Sequence, residues 1–535
     1  MSGHGWPSIP ALAAATVAAH GDRLAVVDGD TRLTWAELHD EAHTFGAALV
    51  ASGIEPGDRV ALWAPNSARW IVAVLGLWRA GAVLAPVNTR FKGAEAADIL
   101  ARSGARALVT VTDFLGTDHL AMLRSTDTEL PELETVVVAQ GDAPDGGDPW
   151  DDFTARATDS ARAEVDRRSA ALGPDDTSDV LFTSGTTGVP KGVVMTHGRT
   201  LCVATDWVAM TGLTADDRYL MVNPYFHMFG LKAGILACVA AGATMLPEPV
   251  FDAGRALARV AAEQVTVLPG APTLYQSLLD QPDRDSHDLS SLRVAVTGAA
   301  DIPVTLVSRI VDELPFPTVV SGYGLTEAGT ASATDLDDAA ETIATTVGRA
   351  RPGFEIRIVD GDDDVATGEP GEIVLRGPSV MRGYLDDPEA TAAALSGDGW
   401  LRTGDLGVLD EKGYLRIVGR SKDMFIVGGF NAYPAEIEGH LLRHPEVQQA
   451  AVIGIPDARL GEVGMAFVVA RTGDASRDDT ALGDEIIAWC RDEIANYKVP
   501  RVVEIVAELP LNATGKVEKR LLREQAAQSR PAAST

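Results

Sequence analysis

The densest concentration of chemical groups in the sequence is Thr183-Ser184-Gly185-Thr186-Thr187-Gly188-Val189-Pro190-Lys191-Gly192, which directly follows the apolar run Val180–Phe182. Its glycines let the backbone fold tightly and present N–H groups. Its threonines and serine add hydroxyl donors, and Lys191 adds a positive charge. Donors and charge packed this closely suit a polyphosphate. The segment is not a Walker A loop, because Pro190 stands where that pattern requires glycine. Other lookalikes fail. Gly322-Tyr323-Gly324-Leu325-Thr326-Glu327 imitates a dinucleotide fingerprint but ends in Glu327. Asp360–Asp364 imitates the start of a calcium loop, yet Val365 and Gly371 occupy the positions that need glycine and glutamate, so a solvated hairpin turn is expected. There is no HExxH motif and no Cys/His cluster.

The phosphate segment resembles that of the adenylate-forming superfamily, which contains acyl-CoA synthetases, luciferases and peptide-synthetase adenylation domains. Further segments resemble motifs of that superfamily, in the same order. They are Tyr225-Phe226-His227-Met228-Phe229-Gly230, Tyr323-Gly324-Leu325-Thr326-Glu327, Trp400-Leu401-Arg402-Thr403-Gly404-Asp405, Gly419-Arg420-Ser421-Lys422-Asp423 with Gly428-Gly429-Phe430-Asn431-Ala432-Tyr433-Pro434, and Asn512-Ala513-Thr514-Gly515-Lys516. The resemblance implies an acid–thiol ligase that uses ATP, Mg²⁺ and coenzyme A. A carboxylate would attack the α-phosphorus, and the site would supply positive charge where negative charge accumulates. Lys516 would bridge the carboxylate and the α-phosphate, Thr326 would contact that phosphate, and Glu327 would hold the metal. Thr183, Ser184, Gly185, Thr186, Thr187, Gly188 and Lys191 would cradle the outer phosphates. Gly298, Ala299 and Ala300 would face the adenine and Tyr323 would stack on it, Gly322 and Gly324 would belong to the same nucleotide site, and Asp405 would take the ribose hydroxyls, with Arg420 at the ribose or phosphate. Gly428, Gly429 and Phe430 would line the route of the thiol, since absent side chains let the pantetheine arm pass. Lys422 would be a hinge about which the terminal domain turns between half-reactions.

The acyl pocket is expected to draw on Tyr225, Phe226, His227, Met228, Phe229, Lys232 and Tyr275. Lys232 opens the otherwise apolar helical stretch Ala233–Ala241, and a stem snorkelling to water is the expectation, ahead of contact with a polar group on the substrate. Across Asp217–Asp280 the chain is similar to actinobacterial acyl-CoA ligases of steroid breakdown, which act on propanoate side chains of fused, oxygenated rings. A polycyclic terpenoid acid, a medium-chain fatty acid or an aryl acid is the alternative substrate. The alternative functions are a single half-reaction and nucleotide binding without turnover.

These residues need a scaffold. Short apolar runs such as Arg59–Ala64, Ala107–Val111, Arg293–Thr297 and Thr318–Ser321 alternate with helical patterns such as Ala68–Arg79, which predicts α/β architecture with parallel βαβ sheets. Gly234–Leu246 reads as one buried helix. After about residue 345, alternation in Phe354–Val359 and Ile373–Arg376 predicts a small β region. Tyr414–Val418, Met424–Val427, Ala450–Ile455 and Ala466–Ala470, with helices Pro434–Leu442 and Asp484–Ile494, predict a compact α+β terminal domain. The expected division is 1–421, in subdomains of about 1–172, 173–345 and 346–421, followed by a mobile domain at 422–535.

Composition narrows the partners. Forty-five lysines and arginines against 76 aspartates and glutamates give a net charge of −31 over 535 residues. That excess argues against nucleic acid and against anionic lipid surfaces. Cys202, Cys238 and Cys490 are too few and too scattered for a disulfide framework. The start lacks the pattern of a signal peptide, and no apolar stretch reaches the ~20 residues of a spanning helix. A cytoplasmic enzyme acting on a small carboxylic acid is expected, and a homodimer is compatible with the sequence.

Overall fold

Strand residues that alternate between two cores show why the apolar runs become sheets. Val60 and Leu62 enter one core while Ala61 and Trp63 enter another on the opposite face. Val294 and Val296 are likewise separated from Ala295. Such strands are buried on both sides, as helix-covered parallel sheets require. The computed structural model describes residues 5–183, 190–298, 304–420, 423–427, 430–457, 459–471, 478–494, 496–512 and 516–529.

Among the described residues the strands form four sheets. The first has eight strands, in the order Gly383–Tyr384, Lys191–Thr196, Thr177–Thr183, Val83–Pro86, Arg59–Trp63, Ala105–Val111, Thr135–Gln140 and Asp148–Pro149. The second has nine, running from Arg349–Ala350 through Gly329–Ala333, Thr318–Leu325, Val294–Gly298, Val267–Pro269, Arg218–Met221 and Thr244–Pro247 to Leu24–Asp28 and Thr31–Thr34. The third is an antiparallel set of five that includes Leu401–Leu409 and Leu415–Arg420. The fourth joins Phe430–Ala432, Phe425–Val427, Gly461–Ala470 and Val447–Asp457, with Val502–Ile505 added in parallel.

Helix Ala68–Arg79 lies where its pattern predicts, capped by the Ser67 hydroxyl, which accepts the Trp70 N–H at 3.2 Å. One core runs through the first three sheets and includes Val26, Val60, Val294, Ile373 and Leu401. The fourth sheet has separate cores on its two faces, one with Phe425, Ile437 and Ile486, the other with Ile453, Phe467 and Leu522. Among the described residues no helix is long and apolar enough to cross a membrane.

The structure corrects three expectations. Strands do not respect the stretches 1–172 and 173–345. Leu24–Asp28 pairs with Thr244–Pro247 in the second sheet, while Thr177–Thr183, Lys191–Thr196 and Gly383–Tyr384 belong to the first. Local composition breaks mark loops, and sheet membership is decided by pairing over long range. Gly234–Leu246 is not one helix. A π-helical turn at Leu231–Leu236 and a short helix at Ala237–Ala241 end at Gly242, whose φ of 74° reverses the chain into strand Thr244–Pro247. Finally, the strand before the phosphate segment returns as Lys191–Thr196, an antiparallel partner that the parallel reading overlooked. The exchange from third to fourth sheet falls between Arg420 and Phe425, and the expected hinge, Lys422, lies outside the described residues.

Candidate nucleotide and acyl site

The phosphate segment is the connection of a β-hairpin. Thr183 and Lys191 stand directly opposite each other across the antiparallel pair. Ser184, Gly185, Thr186, Thr187 and Gly188, which join them, lie outside the described residues. Strand Gly383–Tyr384 adds to the edge of this hairpin, with Tyr384 opposite Val193. The Tyr384 ring therefore lies under the Lys191 ammonium, 5.1 Å from ring centre to Nζ. The Tyr384 hydroxyl donates to Glu327 Oε1 at 3.1 Å. Burial, then the Glu327 charge, pushes this phenol well above its usual range. Glu327 and Thr326 form part of the turn between Thr318–Leu325 and Gly329–Ala333, and the Glu327 carbonyl accepts the Met381 N–H at 2.6 Å. Tyr384, which no sequence pattern marked, thus connects an acid of the second sheet to a lysine of the first.

A Mg²⁺ ion takes one or two carboxylates and completes its shell with phosphate oxygens and water. Glu327 supplies one carboxylate, and among the described residues no group of three or more His, Cys, Asp or Glu gathers into a preformed metal cage. This donor set fits a metal that arrives on a nucleotide.

Around the residues expected to meet adenine and ribose the sheets close on one another. Gly298 and Gly322 are register partners, and a Cβ on Gly298 would stand 2.4 Å from the Gly322 carbonyl oxygen. Only glycine fits such an approach. Gly324 lies opposite Thr330 in the following hairpin, while Ala299 and Ala300 lie outside the described residues. The Tyr323 hydroxyl donates to Asp405 Oδ2 at 2.7 Å, so this ring fastens the second sheet to the third. Asp405 faces Arg420 directly across the strands of the third sheet. Two residues expected at the nucleotide on motif order alone are thus cross-strand neighbours.

The acyl segment is organised by Asn66, an amide that sequence reading missed. Its Nδ2 donates to the carbonyls of Met221 and Asn223 at 3.0 and 2.9 Å, and its Oδ1 accepts the Tyr225 N–H at 2.9 Å. The polar break Asn66-Ser67 between strand Arg59–Trp63 and the following helix was the available signal. His227 caps the next turn: its Nδ1 accepts the Phe229 N–H at 3.2 Å, a role open only to an unprotonated nitrogen. Burial, then the Lys516 ammonium, pushes its pKa down to about 4. Lys516 thus bears electrostatically on the acyl segment, although nearly three hundred residues separate them in sequence. Its own loop is closed reciprocally, with Lys516 N–H donating to Asn512 Oδ1 at 3.0 Å and Asn512 N–H donating to the Lys516 carbonyl at 2.8 Å.

Phe226 and Phe229 are half-buried, Met228 is buried, and Phe229 meets Trp207 edge-on at 5.3 Å. Three pocket expectations differ from the structure. Tyr225 is fully buried against Trp70. Tyr275 is fully buried in the outer core of the second sheet, with its hydroxyl 2.6 Å from the Leu268 carbonyl oxygen. Lys232 does not snorkel: it is completely buried, with Nζ 2.8 Å from Asp179 Oδ1. In each case the residue type suited either a pocket or a core, and packing decided. Among the thiol-route residues, Phe430 is the cross-strand partner of Val427, and Gly428 and Gly429 lie outside the described residues.

Residues 13–385 match the family model described as AMP-binding enzyme, and residues 436–516 match the AMP-binding enzyme C-terminal domain. The chain is 51% identical over 508 residues, 94% of its length and 96% of the relative's, to the 3-[(3aS,4S,7aS)-7a-methyl-1,5-dioxo-octahydro-1H-inden-4-yl]propanoyl:CoA ligase of Rhodococcus jostii. It is 50% identical to the Mycobacterium tuberculosis ligase of the same name, over 97% of this chain and 98% of that one. Among solved structures, an anthranilate CoA ligase in complex with anthranoyl-AMP superposes with a TM-score of 0.89 at 28% identity, covering 98% of both chains.

Proposed function

The chain belongs to the AMP-binding enzyme family, and on that premise we propose that it is an ATP-dependent acyl-CoA ligase for a steroid-derived, fused-ring propanoic acid. The carboxylate oxygen bonds to the α-phosphorus of ATP and pyrophosphate leaves. The thiol of coenzyme A then adds to the acyl carbonyl, and AMP leaves as the thioester forms. Two anions meet in the first step, so oriented positive charge is the main requirement. Lys516, whose charge reaches the acyl segment at His227, supports that role. Lys191, held over Tyr384, serves the outer phosphates, and Asp405 accepts from the ribose. Glu327 holds Mg²⁺, which when bound neutralises phosphate charge. Three scattered cysteines with no disulfide among the described residues support a cytoplasmic enzyme.

The observation that carries the substrate is the 51% identity over nearly the whole Rhodococcus jostii ligase, whose name specifies a methylated, dioxygenated octahydroindene propanoate. The test is mass spectrometry of adenylate and thioester after incubation with ATP, Mg²⁺, coenzyme A and a panel of fatty, aryl and polycyclic propanoic acids. Thioester from the bicyclic dioxo-propanoate, well above that from the other acids, is the expected result. Equal turnover of a medium-chain fatty acid or an aryl acid overturns the assignment.

A further inference from the structure

Asp179 and Lys232 form an ion pair that solvent does not reach: both side chains are 0% exposed, and Nζ stands 2.8 Å from Oδ1. Taking two charges out of water is costly, and such a pair contributes little to stability compared with apolar residues of similar size. Its placement gives it another use. Asp179 lies on strand Thr177–Thr183, which leads directly into the phosphate segment. Its second oxygen, Oδ2, accepts from the Ser178 hydroxyl at 2.6 Å and from the Thr200 hydroxyl at 2.9 Å. Thr200 belongs to helix His197–Thr211, which follows the return strand of the same hairpin. One carboxylate is therefore bonded to the elements on both sides of the phosphate segment.

Lys232 stands at the far end of the acyl segment, two residues beyond Gly230, inside the π-helical turn Leu231–Leu236. Wide turns of this kind are rare and cluster at functional sites. Asn66 fixes the near end of the segment through Met221, Asn223 and Tyr225. The segment is thus pinned to the first sheet at both ends. At the second pin the partner is the strand that carries the phosphate segment.

We propose that the buried Asp179–Lys232 pair is a positioning device that sets the distance between the carboxylate of the acid and the α-phosphate of the nucleotide. The inference rests on the ligase reading above. The pair touches neither substrate. It fixes the spacing between the acyl segment and the segment that holds the nucleotide by its outer phosphates, and misplacement of reacting atoms by about 1 Å costs on the order of 100-fold in rate. The first half-reaction therefore depends on the pair, while the binding of each substrate alone does not. Attack of the thiol on a finished adenylate does not depend on it either, because carbonyl and phosphate are then covalently joined.

Lys232→Ala leaves Asp179 buried and unpaired, and loss of the fold would hide any kinetic effect. The informative variant is Lys232→Met with Asp179→Asn, which removes both charges, matches Asp179 in shape and Lys232 to within one atom of length, and leaves an acceptor for Ser178 and Thr200. Lys232→Arg accompanies it, keeping the charge on a longer, planar head. Melting temperature, calorimetric binding of ATP and of the acid, adenylation kcat and thioester formation from supplied acyl-adenylate are measured on each. The expected result is a melting temperature close to wild type and an adenylation kcat lower by roughly 10- to 100-fold in the double variant, with a smaller loss in Lys232→Arg. Both binding constants stay within about threefold and the thioester step is unchanged. A folded double variant with wild-type kcat overturns the proposal, as does a loss confined to ATP binding or one shared equally by both half-reactions. Failure of the wild-type chain to form adenylate from any acid would count against the ligase reading instead.

Discussion

Along the proposed nucleotide wall Lys191, Tyr384 and Glu327 meet side chain to side chain, as do Tyr323 and Asp405, and the two groups together join three sheets. Along the acyl segment Tyr225, His227 and Lys232 are held by main-chain groups and by partners withdrawn from solvent. The two walls divide the work. Nucleotide groups are the same in every turnover, so fixed polar side chains can be brought to them from distant elements. The acyl wall has to set a shape, and it takes that shape from packing behind the surface.

The largest effect expected from this contrast is at Lys516, whose charge reaches the acyl segment. Lys516→Ala should lower adenylation by roughly 100- to 1000-fold, the scale of removing one oriented electrostatic partner, while sparing thioester formation from supplied adenylate. Quantifying the two products separately checks it, and equal loss of both steps would break the division between the walls.

Acidification should act next, through stability. Burial pushes His197 down to about 4 from an ordinary 6.5, and its Nδ1 lies 3.4 Å from the Ile9 N–H, which it accepts when unprotonated. Between those values the unfolded chain holds a proton that the fold excludes, so stability falls as pH drops from about 6.5 toward 4 and is complete above that window. The loss is on the order of 3 kcal/mol for this histidine, and His227 adds to it in the same direction. Chemical denaturation across pH 4–7 measures the slope, and His197→Gln should flatten it.

On the nucleotide wall the effects should be kinetic. Tyr323→Phe leaves Asp405 without its 2.7 Å donor and should raise the KM for ATP about tenfold with little change in melting temperature. Tyr384→Phe keeps the ring beneath Lys191 and should cost less than Tyr384→Leu, each within about tenfold in MgATP affinity by calorimetry. Tyr275→Phe should leave every kinetic constant at its wild-type value and lower stability by about 1 kcal/mol, as a core hydroxyl does. A change in acid specificity in that variant would return Tyr275 to the pocket.

The same contrast explains what could be read in the chain before folding. Phosphate-binding residues are clustered, polar and otherwise out of place after an apolar strand, and the Asp405–Arg420 pairing follows once both lie in facing strands. Tyr384 escaped notice because a lone Gly-Tyr acquires meaning only when its short strand joins a hairpin formed almost two hundred residues earlier. Tyr225, Tyr275 and Lys232 were misplaced for the opposite reason. An aromatic ring, or a lysine beside an apolar run, is compatible with a pocket and with a core, and only the burial of its neighbours separates the two. Strands such as Arg59–Trp63 and helix Ala68–Arg79 were readable because one local pattern determined each. The assignment of strands to sheets was not, because it depends on partners far away.

That long-range assignment also bears on how the chain leaves the ribosome. Strand Leu24–Asp28 is made early, yet Val26 pairs with Met245, about 220 residues later. At synthesis rates of 5–20 residues per second the strand waits roughly 10 to 40 s for its parallel neighbour. During that interval only the hairpin to Thr31–Thr34 shields one of its edges, and Val27 lacks its core partners, which run from Leu220 to Ile343. The nascent chain therefore carries an open, adhesive strand edge through the first half of its own synthesis, an interval that closes before Glu327, Asp405 and Lys516 have been translated.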